Sequence, residues 1–178
     1  MSRSTKDPLL NVASVILALG VVLFIFVAAM VLIGLGAVLT VQRAELLARL
    51  AEAGAPDSAY WAIVVVLVLV DALMIIALRF VLELSGIVKS VGRGDPFEPA
   101  NADRLWRMGW LTVAAHAAAI PAGAIGVWIK SVSGEAGKTL DVEFNLGSGG
   151  VLLILTLFIL ARVFRHGAVM REDLEGTV

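Results

Sequence analysis

The chain is 178 residues long, 60% hydrophobic, and carries a formal net charge of −1. Soluble domains run near 45–50% apolar, so this composition, with a mean hydropathy of +0.95, excludes an ordinary soluble domain and reads as a polytopic membrane protein. There is no cysteine, which excludes disulfides, thiolate nucleophiles and cysteine-ligated metals, and the near-neutral balance gives no reason to expect direct nucleic-acid binding.

Four apolar runs stand out, at about residues 12–39, 60–84, 105–129 and 147–169. Each has the roughly 20 residues that cross a bilayer as a helix, and none shows the alternation of a membrane barrel. The first run follows Arg3 and Lys6, as a secretory signal would. It is far longer than the 7–15 residues of a signal's apolar region, so it reads as a retained span. The fold class predicted is all-α: a single four-helix transmembrane domain over residues 1–178, with a loop at 85–104 and a tail at 170–178.

Basic residues set the orientation. Arg3 and Lys6 precede span one, Arg79, Lys89, Arg93, Arg104 and Arg107 flank the central loop, and Arg162, Arg165 and Arg171 follow span four. The other two loops hold Arg43, Arg49, Lys130 and Lys138. The positive-inside rule then places both termini and the central loop in the cytoplasm.

Beyond span one the chain continues as VQRAELLARLAEAGAP, with Val41, Leu46, Leu47 and Leu50 near one face. This period of 3.6 predicts a helical extension whose apolar stripe packs on its own protein, ended by Gly54 and Pro56. Span two carries Asp71 near its middle. An aspartate at that depth costs about 2.5–3.5 kcal/mol on the insertion scale, so it should face protein or water.

In the central loop, Gly92, Gly94, Pro96 and Pro99 break the helix leaving span two, and Asn101 or Asp103 can cap the next one. Phe97 is an apolar side chain held in that turn, as a plug on the span ends or as an anchor for a partner. Span three is rich in small residues: Ala119 with Gly123 and Ala122 with Gly126 allow close helix approach, within the chain or in a homo-oligomer. Pro121 should bend it, and Trp106, Trp110 and Trp128 fall at the interfaces. His116 lies twelve residues before Trp128, and Asp71 eleven after Tyr60. Equal depth on antiparallel helices predicts that Asp71 and His116 meet as an intramembrane polar pair. Such a pair would act as a structural lock or as a proton-sensing or ligand-binding site.

The next loop alternates Leu140, Val142, Phe144 and Leu146 with polar residues, which predicts a short extracytoplasmic strand-like segment between the third and fourth helices. The fourth span runs into a charged amphipathic tail in which Phe164, Val169, Met170 and Leu174 are the apolar contacts. His166 reads as a solvated interface residue. No HExxH, GxSxG, P-loop or dinucleotide-binding turn occurs, and two histidines on different elements make no metal cluster. The expectation is a protein that is no enzyme, with no metal and no cofactor.

Two stretches carry a family resemblance. GDPFEPANADRLWRMGW, from Gly94 to Trp110, resembles the Gly-x-Pro-Phe…Asn-x-x-Arg-Leu…Gly motif of the domain-of-unknown-function 2975 family of small four-span bacterial membrane proteins. ARVFRHGAVMREDLEGTV, from Ala161 to Val178, resembles its closing Val-Phe-x-x-Gly…Glu-x-x-Thr-Val pattern. The motifs map onto Gly94, Pro96, Phe97, Asn101, Arg104, Leu105 and Gly109, and onto Phe164, Gly167, Glu175, Thr177 and Val178. The chain departs at Ala100, where the family often has Glu. The resemblance implies a bacterial inner-membrane protein that binds or restrains a small cytoplasmic helix-turn-helix regulator, with loop and tail as a joint docking surface. The alternative is a small transporter or oligomeric channel with a polar pathway at Asp71 and His116.

Overall fold

The computed structural model describes residues 8–133 and 149–175, with side chains through Asp173. Among these residues there are five helices and no strand: α1 (Pro8–Leu39), α2 (Arg43–Glu52), α3 (Ser58–Gly92), α4 (Pro99–Val132) and α5 (Gly149–Glu175). All but α2 are long and apolar enough to cross a membrane, so the chain is a multi-pass membrane protein. The strand-like segment expected at residues 140–146 lies outside the described residues, as do Thr177, Val178 and the side chain of Glu175.

The helices outrun the apolar runs that announce them. α1 has 32 residues, about 48 Å at 1.5 Å per residue, against a hydrocarbon layer of about 30 Å. No residue of α1 is buried. Leu10, Leu17, Phe24, Val31 and Val38 are half-buried at every seventh position, the seam of a helix that touches protein along one line. Its remaining apolar surface suits lipid, where exposed leucine and valine carry no penalty.

Contacts divide the chain into two compact units. The first comprises Met1–Phe24, Ile76–Ala114 and Ser148–Val178; the second comprises Ile25–Ile75 and Ala115–Gly147. The core of the first is Leu105, Met108, Leu157 and Ala161, with Phe80, Leu84, Ile87 and Phe164 packed against it. The core of the second is Leu50, Ala59 and Tyr60, with Leu46, Leu47, Ile63 and Val132 around it.

Two details correct the sequence reading of the second unit. α1 is not extended into the amphipathic stretch; it ends at Leu39, and α2 is a separate helix. The Tyr60 hydroxyl donates to the Val38 carbonyl at 3.2 Å, so that carbonyl at the break is satisfied, while the Gly36 carbonyl accepts both the Thr40 N–H at 3.2 Å and its hydroxyl at 2.7 Å. Leu46, Leu47 and Leu50 do pack on the protein, but Val41, in the break, is 87% exposed. The stop at Gly54 is as expected. With φ of +71° and the bonds Ala55 N to Leu50 O and Gly54 N to Ala51 O, it forms a Schellman cap, which favours glycine because the left-handed backbone crowds a Cβ.

Candidate functional site

In the first unit, the α3–α4 loop and the end of α5 converge on one cluster, built around a turn. Gly94 has φ of +82°, with Asp95 N bonded to Ser90 O and Gly94 N to Val91 O. This is a second Schellman cap, closing α3. Pro99 then opens α4, at a first-turn position where its missing N–H costs nothing. Asn101 and Asp103 therefore lie inside the helix and do not cap it.

Asn101 has another task. It is fully buried, and its Nδ2 donates to Ser90 Oγ at 2.6 Å and to the Pro96 carbonyl at 3.0 Å. Its Oδ1 accepts from Arg104 Nη1 at 2.7 Å, and Ser90 Oγ donates on to the Ile87 carbonyl. One amide thus ties the end of α3, the turn and the start of α4. Arg104 lies flat over α3 at Gly86, where a Cβ would come within 2.6 Å of its Nε.

The two motif stretches interlock through rings and glycines. Phe97 packs on Phe164 at 5.5 Å between centroids, and a Cβ on Gly167 would lie 2.8 Å from Phe97 Cδ1. One turn-to-tail contact therefore accounts for Phe97, Phe164 and Gly167 together. Phe158 packs against Trp106 at 4.8 Å and Trp110 at 5.9 Å, over Gly109, whose added Cβ would come within 2.7 Å of the ring. Held between two indoles, that ring has little room to yield. Gly109→Val should therefore cost about 1–3 kcal/mol, the usual range for overpacking, read as a lower thermal midpoint in detergent with altered near-ultraviolet dichroism from Trp106 and Trp110.

Ion pairs rim the cluster. Arg93 reaches Glu98 at 2.8 Å, Arg165 reaches Asp103 at 3.2 Å, Arg171 pairs with Asp95, and Arg107 makes a two-bond fork to Glu83 at 2.8 and 2.9 Å. Exposed pairs of this kind contribute about 0–1 kcal/mol each. The Arg165 and Arg171 pairs fix the register of α5 on the loop and the start of α4, while Asn101 and the rings carry the energy.

Sequence reading missed Glu83, Gly86, Ser90 and Phe158. Glu83 near the end of an apolar run, opposite the basic Arg107, was a legible signal. For Gly86, Ser90 and Phe158 the meaning depends on which residue lies across the helix contact.

The expected intramembrane pair lies in the second unit, with Asp71 on α3 and His116 on α4. Asp71 is buried at 9% exposure, but its Oδ1 has no hydrogen-bond partner among the described residues, and neither has His116 Nε2. His116 is engaged by another interaction. Counting from the interfaces fixes depth alone. Each residue also turns its side chain by about 100° around the helix axis, and that second coordinate decides whether equal depth becomes contact.

Compared with known families, residues 45–178 match the model described as Protein of unknown function (DUF2975). The chain belongs to this family. The match takes in loop, tail and all of α3, α4 and α5, while α1 precedes it. In this DUF2975 protein the described motif residues are thus members of one packed cluster. No curated protein and no solved structure matches the chain. Among the described residues no group of three or more histidines and carboxylates could hold a metal.

Proposed function

We propose that this DUF2975 protein is a non-enzymatic, multi-pass regulatory partner in the bacterial inner membrane, with both termini in the cytoplasm. Its α3–α4 loop and tail dock a small helix-turn-helix transcription factor. The observation that carries this reading is the state of Phe97. Its ring is fixed against Phe164 and Gly167, yet it remains 42% exposed in a cluster that also holds the ion pairs Arg93–Glu98, Arg165–Asp103 and Arg171–Asp95. A rigid apolar anchor bordered by polar residues is what a protein contact uses, because no side-chain freedom is lost there on binding. The basic residues flanking the loop and tail support the cytoplasmic placement.

The test is a pull-down from native membranes with the full chain. The wild-type protein retains the regulator, and Phe97→Ala or deletion of the last eight residues reduces retention by at least about tenfold, or about 1.4 kcal/mol. Retention unchanged in both variants would refute the docking role. A second reading, a small proton-linked transporter, is favoured by the buried Asp71 carboxylate oxygen without a hydrogen bond. It requires a flux that Asp71→Asn abolishes.

A further inference from the structure

The second unit contains a cavity that the loop and tail do not use. α2, the first turns of α3 and the last turns of α4 line a half-open cavity of about 370 Å³, within the roughly 300–1,000 Å³ of small-ligand sites. Leu46, Leu50, Ile63, Val66, Leu67 and Ile129 form the walls, and Gly126 lines it without a side chain. The lining is almost wholly apolar, with Arg49 and the backbone turn at Ala53 on the rim.

The position of the cavity decides what can fill it. Ile63, Val66 and Leu67 lie one to two turns inside Tyr60 and Trp61, ring types that settle at the membrane interface. By that depth along α3, the cavity lies at the level where hydrocarbon begins. Water would find no partners on such walls, whereas an acyl chain exchanges one apolar surrounding for another. At the rim, Arg49 is 73% exposed, and one of its N–H groups goes to Glu45 Oε1 at 2.5 Å. The rest of its five-donor fork is spare, and a guanidinium fork matches a phosphate.

We infer that this cavity is a lipid site: it takes one acyl chain of a glycerophospholipid, and Arg49 holds the phosphate. This is independent of the regulatory reading, since it uses none of the loop or tail residues. Native mass spectrometry of the full chain tests it, with the protein reconstituted in palmitoyl-oleoyl phosphatidylglycerol vesicles and released from detergent. Wild-type protein retains one phospholipid per chain after the remaining lipid is stripped.

Gly126→Leu and Ala53→Trp, which place bulk inside the cavity and at its mouth, each reduce the retained fraction by about fivefold or more. Ala53 is exposed just beyond α2, so Ala53→Trp remains decisive should Gly126→Leu not fold. Arg49→Ala weakens retention of phosphatidylglycerol but leaves that of diacylglycerol, which lacks phosphate, unchanged. The inference fails if the wild type retains no lipid, if Ala53→Trp retains as much as the wild type, or if a second copy of the chain occupies the place of the lipid.

Discussion

Asn101→Leu should lower the unfolding free energy by about 1–3 kcal/mol, the cost of leaving buried hydrogen-bonding groups without a partner. Leucine has the same number and branching of side-chain heavy atoms, so no cavity is opened, and its bulkier methyl groups add an overpacking cost of the same sign. What is lost is specific. The buried Ser90 hydroxyl loses its donor at 2.6 Å, the Pro96 carbonyl loses its donor, and the Arg104 guanidinium loses its acceptor. No water reaches Ser90, which is 0% exposed. Unfolding in mixed detergent micelles, followed by helical dichroism, gives the number. A loss below about 1 kcal/mol, the value of an ordinary hydrogen bond, would mean that this amide does not organise the cluster. Asn101→Leu should also free Asp95 and the turn from the tail, so protease cleavage between α3 and α4 should accelerate.

That cluster shows how far the sequence could be read. The four spans were legible because hydropathy sums over twenty or more residues, and no single neighbour can change the total. The helix stops at Gly54 and Gly94 were legible for a local reason: a left-handed residue at a helix end almost demands glycine. The break at Leu39 was not. Thr40, Val41 and Gln42 contain no breaker, and the partner that satisfies the freed Val38 carbonyl is Tyr60, far along the chain. Asn101 was misread as a cap for the same reason, since a cap is a local role and its actual contacts reach back to Ser90. Gly109 and Gly167 carried the opposite difficulty. Each was singled out as a motif residue, but only the rings of Phe158 and Phe97 lying against them explain why no side chain fits there.

Asp71→Leu is expected to stabilise the fold by about 2–3 kcal/mol, close to the insertion cost of an aspartate at mid-membrane. The sign follows from the geometry. Removing one member of a satisfied ion pair destabilises, because it strands the other. Asp71 has a buried carboxylate oxygen with no hydrogen bond among the described residues, so no donor to that oxygen is stranded when it goes. Asp71→Asn separates the acid from its shape: it keeps the volume and removes the ionisable group, and should recover part of the gain. The measurement is again unfolding in mixed micelles, paired with the regulator pull-down and a proton-flux assay in vesicles. A more stable Asp71→Leu protein that still retains its regulator would reduce the carboxylate to a tolerated cost. A more stable protein that has lost flux would make it the working group of a transporter, held at the expense of stability as functional residues often are. A less stable protein would overturn the argument at its base, because the carboxylate would then have a partner worth more than its own desolvation.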